Sequence, residues 1–203
     1  MPPPPPDART APSKSRRIVL TGGPGAGKTV VSQRIANADP GRFILVPEAA
    51  TQVYSALQTR WDRLTLEGRY EVQRQIYRVQ REQEDRLAAE YPDKILLLDR
   101  GTIDGAAYWP HGPDDYWRDL GTTLDAELAR YDRVIWMQTC AAVGAYDGDA
   151  SNACRFEDAD AAVASGNLLA MLWGGHPQFM QVDAFERLDE KVATVRAILQ
   201  ANA

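Results

Sequence analysis

A glycine-rich run near the start of the chain constrains the fold more than any other feature of the sequence. It fits the pattern G-x-x-x-x-G-K-[ST], in which a loop points backbone N–H groups at a phosphate. A short apolar stretch, Arg16 to Leu20, precedes this phosphate loop, and a stretch typical of a helix, Thr29 to Ala38, follows it. The N-terminus of that helix would face the same anion. The residues predicted to bind a nucleotide are Gly22, Gly23, Pro24, Gly25, Ala26, Gly27, Lys28, Thr29 and Val30.

Two side chains of the phosphate loop have a specific expected role. Lys28 is placed to reach the β- and γ-phosphates, and the Thr29 hydroxyl is placed to ligate Mg²⁺. A second magnesium ligand is expected at Asp99, which ends the apolar run from Lys94 to Asp99. An acid at the carboxyl end of a central parallel strand lies beside such a loop. The alternative for Asp99 is a carboxylate that caps the following segment.

The rest of the chain alternates between stretches typical of buried strands and stretches typical of helices. Further strands are predicted over residues 42–46, 94–99, 133–138 and 177–182. Helices are predicted over residues 47–61, 69–90, 114–130 and 155–173, and over a last segment with Phe185 to Leu199. This alternation predicts an α/β P-loop NTPase with a five-stranded, mostly parallel sheet and helices on both faces. We predict one domain over residues 16–203, with a lid at about 140–173.

The long helix has two neighbouring faces of different character. One is apolar and is predicted to face the core; it holds Val72, Ile76, Val79 and Leu87. The flank beside it is polar and holds Gln73, Tyr77, Gln80 and Glu84. We expect this flank to be solvated, and the alternative is that it lines a pocket for a small molecule.

Composition argues against several classes of function. The chain has 203 residues and a formal net charge of −5, which disfavours a general nucleic-acid binder. Its two cysteines and two histidines have no metal-ligand spacing, and no stretch has the apolar length of a membrane span. Residues 1–15 are rich in proline and lack the apolar centre of a signal peptide. A disordered tail is expected there, with a docking segment for an SH3-like partner as the alternative, and a cytoplasmic location follows by default.

Missing signatures narrow the kind of P-loop protein. The sequence has no Asn-Lys-x-Asp base reader of guanine-specific switches and no Leu-Ser-Gly-Gly signature of transporter ATPases, and it is too short for a hexameric motor with its helical lid domain. It has instead the run Asp-Arg-Gly-x-x-Asp after the third predicted strand. Arg100 is expected to clamp a transferred phosphoryl group or an acceptor, and the alternative is a structural ion pair. Asp104 is expected to be a helix N-cap.

Five segments, taken in order, resemble a known family. A Gly-Gly-Pro-x-x-Gly-Lys-Thr loop at 22–29 is followed by Pro-Glu-Ala-Ala at 47–50 and Asp-Arg-Gly-x-x-Asp at 99–104. An Asn-x-x-Arg-x-Glu segment at 152–157 and a Trp-x-x-His-Pro stretch at 173–177 complete the order. Together they resemble the small P-loop kinase-like ATPases, or NadR-like AAA domains, grouped with the ribosylnicotinamide kinase domain of NadR. The resemblance extends from about Arg17 to Leu199.

This resemblance implies a P-loop kinase fold, ATP or else GTP, and Mg²⁺, and it leaves the acceptor open. In similar kinases a carboxylate at the position of Glu48 serves the acceptor, and an arginine at the position of Arg155 closes over the phosphates. The alternatives are an acid favoured by a helix N-terminus at Glu48 and a surface ion pair at Arg155. Members of the family often have arginine after Pro-Glu-Ala-Ala, whereas Thr51 stands here, so no role is carried over to that position.

The sequence therefore predicts an ATP-dependent phosphotransferase that acts on a small-molecule acceptor, nucleoside-like or another metabolite. Its catalytic candidates are Glu48, Asp99, Arg100 and Arg155. The alternative is a nucleotide-binding regulatory ATPase or GTPase module that signals to a protein partner, which the Pro-rich tail favours. The expected partners are the nucleotide and the unidentified acceptor, without nucleic acid or membrane, and the oligomeric state stays open.

Overall fold

The computed structural model of the chain describes residues 15–140 and 159–201. The strands are β1 Arg16–Thr21, β2 Phe43–Val46, β3 Ile95–Asp99, β4 Arg133–Met137 and β5 Phe179–Val182. The α-helices are α1 Lys28–Ala38, α2 Ala49–Ala56, α3 Leu66–Glu90, α4 Pro113–Leu120, α5 Leu124–Leu128, α6 Ala159–Trp173 and α7 Leu188–Gln200. Short 3₁₀ helices cover Trp61–Arg63 and Thr102–Tyr108. None of the helices within the described ranges has the length and apolar character needed to cross a membrane.

The five strands form one sheet in the order β2-β3-β1-β4-β5. The predicted α/β fold is confirmed, and the sheet is wholly parallel, because all four neighbouring pairs run in the same direction. The carboxyl ends of all strands therefore share one edge of the sheet. In the central pair, Leu20 of β1 is in register with Asp99 of β3. The phosphate loop that follows β1 consequently starts beside the predicted magnesium ligand.

Helices cover both faces of the sheet because successive strand residues point to opposite sides. In β3, Leu96 and Leu98 belong to one core cluster, whereas Ile95 and Leu97 belong to another. The cluster of Leu96 and Leu98 also contains buried side chains from α3, α4, α5 and α6. The cluster of Ile95 and Leu97 contains those of α1 and α7.

The long helix α3 buries more of its polar flank than of its predicted apolar face. Val72 is buried as predicted, whereas the other three residues of that face are only partly buried. The four residues of the flank, Gln73, Tyr77, Gln80 and Glu84, are all buried, so the expectation of a solvated flank is wrong. Hydrogen bonds from Tyr77 to Glu127 of α5 and from Gln80 to the backbone of Arg100 explain how polar groups are accommodated there.

The helix predicted over residues 114–130 is two helices. Gly121 follows α4 with φ 65° and ψ 35°, the left-handed conformation that ends a helix. The Thr123 side chain then accepts a hydrogen bond from the Ala126 N–H, which caps α5. The last helix also differs, because α7 starts at Leu188 and Phe185 precedes it while packing on the same core cluster.

Gly121→Ala should destabilise the protein by about 1 kcal/mol, because a Cβ disfavours the left-handed conformation. A Cβ at this position would meet nothing within 4 Å, so backbone strain is the only expected cost. Gly41→Ala is the matched control, because a Cβ there would meet only Asp39 Oδ1, at an ordinary 3.6 Å. Urea unfolding of both variants measures the difference, and equal stabilities would contradict a glycine-dependent end of α4.

Candidate functional site

The phosphate loop lies so close to its neighbours that two of its glycines have no room for a side chain. A Cβ on Gly22 would lie 2.1 Å from the carbonyl oxygen of Met137, at the end of β4. A Cβ on Gly23 would lie 2.3 Å from the carbonyl oxygen of Ala162, in α6. Gly22 and Gly27 also have positive φ values, 135° and 80°. The loop therefore needs glycine both for its own conformation and for the approach of β4 and α6.

Three backbone carbonyl oxygens of the phosphate loop accept hydrogen bonds from other parts of the protein. The carbonyls of residues 24, 25 and 26 accept hydrogen bonds from Thr139 Oγ1, Cys140 N and Lys191 Nζ, at 2.5, 3.4 and 3.2 Å. Thr139 and Cys140 follow β4, and the buried Lys191 belongs to α7. Carbonyl oxygens repel phosphate, so engaging them with donors favours an anion in the loop.

Lys28, the first residue of α1, is held against the loop backbone. Its ammonium donates hydrogen bonds to the carbonyl oxygens of Gly22 and Gly23, both at 2.8 Å, and the residue is only 7% exposed. These contacts hold the Lys28 ammonium at the phosphate loop, where the sequence motif predicts it. Val30, also predicted to contact the nucleotide, lies in the first turn of α1 and is 40% exposed.

Thr29 and Asp99 come together as a magnesium site requires. The Thr29 hydroxyl donates to Asp99 Oδ2 at 2.6 Å, while Asp99 Oδ1 is buried without a hydrogen-bond partner. Burial raises the pKa of Asp99, the charge of Glu48 raises it further, and Lys28 opposes the shift. No cluster of three or more His, Cys, Asp or Glu in the described ranges could hold a metal by itself. These residues fit Mg²⁺, which usually takes one or two protein oxygens and completes its shell with phosphate and water.

Arg100 follows β3 in a left-handed backbone conformation, φ 75°, and its side chain is nearly buried. Its Nε donates to Glu48 Oε1 at 2.7 Å and its Nη1 donates to Asp104 Oδ1 at 2.8 Å. Nη1 also lies 3.4 Å from the carbonyl oxygen of Gly22 in the phosphate loop. Nη2 makes no hydrogen bond to a described residue, so the guanidinium keeps one nitrogen for a bound group.

Asp104 is buried and accepts hydrogen bonds from three side chains, and the expectation that it is a helix N-cap is wrong. The 3₁₀ helix Thr102–Tyr108 has Gly101 at its N-cap. The Asp104 carboxylate instead accepts hydrogen bonds from Thr21 Oγ1, Arg100 Nη1 and Trp173 Nε1, at 2.9, 2.8 and 2.9 Å. It therefore joins the ends of β1 and β3 to α6.

Glu48 is the N-cap residue of α2, and its side chain contacts Arg100, the residue that follows β3. Its Oε1 accepts from Arg100 Nε at 2.7 Å, and its Oε2 accepts from Thr51 Oγ1 at 2.7 Å. It makes no side-chain capping bond to α2, so the carboxylate is directed to Arg100 and Thr51 rather than to the helix backbone. Thr51, which stands where the family often has arginine, thus supports Glu48.

A pocket opens beside Glu48 and Arg100. Its empty space is about 920 Å³ including the open mouth. Charged side chains in its wall are Glu48, Asp62, Arg100 and Asp104. Aromatic side chains in its wall are Tyr54, Trp61, Tyr77, Tyr108 and Tyr116. The wall of the pocket therefore combines carboxylates and a guanidinium with several aromatic rings.

Two glutamines of α3, Gln73 and Gln80, also line this pocket. Gln73 is only 4% exposed, and its amide makes no hydrogen bond to a described residue. Because Gln73 lines the pocket, its amide can be reached from the open space there and is available to a ligand. In the sequence these glutamines belong to the polar flank of the long helix, and helical spacing alone does not show whether such a flank faces solvent or a cavity. Tyr77 belongs to that flank, whereas the other four aromatic wall residues had no distinguishing sequence pattern.

The structure brings together Glu48, Asp99, Arg100 and the phosphate loop at one edge of the sheet. The structure does not describe residues 141–158 of the predicted lid, which include Arg155, so the lid and the role of Arg155 stay predictions. The remaining part of that segment, α6, is packed into the core through Leu169 and Trp173, which are fully buried.

Comparisons with known proteins agree with this architecture. The sequence profile of the AAA domain family matches residues 17–187. A search of curated protein sequences finds no match.

Solved structures with the same fold include two kinds of kinase-related protein. The NadR protein in complex with NAD and AMP-PNP has a TM-score of 0.61 at 16% identity, over 91% of this chain and 48% of that one. The chain thus spans about half the length of NadR. Deoxyadenosine kinase from M. mycoides with bound dATP has a TM-score of 0.64 at 13% identity, over 90% of this chain and 98% of that one.

At such identities the likeness shows the fold alone, which is that of the P-loop kinases. The profile match covers most of the 203 residues and begins within β1. The resemblance predicted from the five sequence segments is confirmed, and the chain belongs to the AAA domain family with a P-loop kinase-like fold.

Proposed function

We propose that the protein transfers a phosphoryl group from ATP to the hydroxyl group of a small-molecule acceptor. The observation that carries the proposal is the position of the Glu48–Arg100 pair. Both residues line the pocket, and Arg100 also lies 3.4 Å from the carbonyl oxygen of Gly22 in the phosphate loop. A pocket that meets the phosphate loop at a carboxylate and a guanidinium is what a phosphotransferase needs and what a nucleotide switch does not.

On the donor side, the phosphate loop and Lys28 would hold the triphosphate, and Thr29 with Asp99 would hold Mg²⁺. When bound, Mg²⁺ neutralises phosphate charge during transfer. The unpartnered Asp99 Oδ1 supports this assignment, because ligation would compensate a buried carboxylate oxygen. ATP is the expected nucleotide; NadR has been solved with AMP-PNP and the deoxyadenosine kinase with dATP.

On the acceptor side, Glu48 would bind the attacking hydroxyl and take its proton. Each of its carboxylate oxygens accepts a hydrogen bond from the protein, and a carboxylate oxygen can accept more than one. Arg100 Nη2 would donate to the transferred group or to the acceptor, because it makes no hydrogen bond to a described residue. Together the two side chains would bring the hydroxyl and the phosphate into contact.

The pocket wall favours an acceptor that carries no phosphate. Glu48 and Asp104 in the wall share the single Arg100 guanidinium, and the third wall carboxylate, Asp62, is paired with Arg60, so one negative charge remains in excess. An anionic acceptor would be repelled there, whereas a neutral or cationic one would not. The tyrosines, Trp61 and the amide of Gln73 suit a planar ring with polar edge atoms. A nucleoside-like acceptor fits these features, and structural neighbours include NadR with NR and the deoxyadenosine kinase.

Asp99→Asn should remove most of the gain in ATP affinity that MgCl₂ gives, while Mg²⁺-free affinity stays within about twofold of wild type, because asparagine keeps the shape and loses the charge. Titration calorimetry with and without MgCl₂ measures both affinities. Asp93→Asn, at an exposed position just before β3, is the control. An unchanged Mg²⁺ dependence would refute the metal assignment, and a lowered melting temperature with both affinities lost would indicate a structural carboxylate.

Glu48→Gln should lower phosphoryl transfer by about 100-fold, because the acceptor side loses its base, and should leave ATP affinity nearly unchanged, because the glutamine oxygen can still accept the hydrogen bond from Arg100 Nε. The assay is nucleoside diphosphate release with a panel of nucleosides, nucleoside monophosphates and sugars. Glu90→Gln, at the exposed end of α3, is the control.

We expect a non-phosphorylated acceptor to raise the wild-type rate sharply above background hydrolysis. If no acceptor in the panel raises it and Glu48→Gln matches wild type throughout, the kinase proposal fails. Hydrolysis that instead rises with an added protein would favour the regulatory module.

Gln73→Leu should weaken acceptor binding without destabilising the protein in the absence of its ligand, because the amide that it removes lines the pocket and makes no hydrogen bond to a described residue. Gln33→Leu, at an exposed position on α1, is the control and should leave acceptor binding unchanged. Urea unfolding measures the stability, and the KM for the acceptor measures the binding. Loss of stability in Gln73→Leu would show that the amide has a structural partner and would remove it from the proposed site.

A further inference from the structure

Arg100 has a left-handed backbone conformation, which is unfavourable for any residue with a Cβ atom. Its φ of 75° lies in the left-handed region, where a residue with a Cβ persists only if surrounding contacts impose it. Two hydrogen bonds hold its backbone on opposite sides. The Arg100 N–H donates to the carbonyl oxygen of Leu20 at 3.0 Å, and the Arg100 carbonyl accepts from Gln80 Nε2 at 3.2 Å. The first bond continues the pairing of β1 with β3, whereas the second comes from α3.

Gln80 has its amide nitrogen fully engaged. The nitrogen donates one hydrogen to the Arg100 carbonyl and the other to Glu84 Oε1, at 2.8 Å. Both partners are oxygen acceptors, so the amide nitrogen must face them and the amide oxygen must face away. Gln83 Nε2 supports this orientation from the other side, at 3.4 Å from Gln80 Oε1. The orientation of Gln80 follows from its neighbours.

Glu84 is itself held by three donors and is fully buried. Besides Gln80, it accepts from Arg130 Nη2 at 2.9 Å and from the Tyr131 hydroxyl at 3.0 Å. The same Tyr131 hydroxyl accepts from the Thr102 N–H at 2.8 Å. One hydrogen-bond network, centred on Glu84 of α3, therefore holds the backbone on both sides of Gly101. It reaches the Arg100 carbonyl through Gln80 and the Thr102 N–H through Tyr131.

From these contacts we infer that Gln80, oriented by Glu84, is a positioning residue that holds Arg100 in its left-handed conformation and so directs the Arg100 guanidinium to Glu48 and the phosphate loop. The inference deepens the proposed function and rests on it, because Arg100 acquires its importance from phosphoryl transfer. Gln80 would act through Arg100, by way of the backbone, and would need no contact with the acceptor.

The test compares Gln80→Met with Gln52→Met in the full chain without added ligand. Methionine keeps the length of the side chain and loses both donors, whereas Gln52 is an exposed glutamine at the far end of the same amide network. Nitrogen-15 NMR measures hydrogen exchange at Arg100 Nε, which is nearly buried and bonded to Glu48. We expect exchange to speed up by about tenfold or more in Gln80→Met and to stay unchanged in Gln52→Met, because local opening sets the rate.

A second variant and a kinetic measurement distinguish positioning from general loss of structure. Gln80→Asn keeps the amide but is one methylene too short to reach both acceptors, so it should also speed up exchange at Arg100 Nε. With the acceptor found in the panel, Gln80→Met should lower kcat about tenfold and leave the KM for ATP unchanged. In the background of Arg100→Lys the same change should have little further effect, because both act on one group.

Unchanged exchange at Arg100 Nε in both Gln80 variants would overturn the inference, whether or not an acceptor has been found. Additive losses in the Gln80→Met, Arg100→Lys pair would also overturn it, because Gln80 would then act elsewhere. A panel without any acceptor, combined with faster exchange in the Gln80 variants, would contradict the proposed function and leave the contact between Gln80 and Arg100 established.

Discussion

The arrangement of the site depends on one guanidinium that is almost wholly removed from water. The Arg100 side chain is 7% exposed and lies between the carboxylates of Glu48 and Asp104, which are 10% and 5% exposed. A charge buried this far is tolerated only when it is paired and hydrogen-bonded, and removal of one partner of such a group typically costs about 3–5 kcal/mol. The ends of β1, β2 and β3 and the helix α6 all meet in this cluster, through Thr21, Glu48, Arg100 and Trp173. Rearranging the edge of the sheet that holds the candidate site would therefore cost the protein much of its stability.

The phosphate loop depends on the same kind of close fit. Its carbonyl oxygens are engaged by Lys28 and by donors that follow β4 or belong to α7, and its glycines touch β4 and α6. Cys140 donates to the loop at Gly25, and Ala162 lies over Gly23. Residues 140 and 162, on either side of the part of the predicted lid that lies outside the described residues, therefore both lie beside the phosphate loop.

The family and the fold do not by themselves decide what the site transfers, because the P-loop fold supports many reactions. The chemistry of the pocket is more informative. Its wall has more carboxylates than cations, several aromatic rings, and a buried amide at Gln73 with no hydrogen-bond partner in the described part of the chain. A neutral or cationic ring-bearing acceptor would satisfy all three features, whereas a protein partner would need an exposed surface. The kinase proposal therefore accounts for groups that a regulatory module would leave without a use.

The sequence by itself determined the phosphate loop, the alternation of strands and helices, and the acid that ends β3, because these depend on local pattern and on the geometry of parallel strands. It could not determine that α3 buries its polar flank, that Gly121 divides one predicted helix into two, or that Asp104 accepts hydrogen bonds from three side chains instead of capping a helix. Glutamine and glutamate on a helix are ordinarily solvated, and their burial depends on partners such as Arg130 and Tyr131, more than forty residues away along the chain. Only the tertiary structure brings those partners within hydrogen-bond distance, and the free energy of burying a polar group depends on whether they are there.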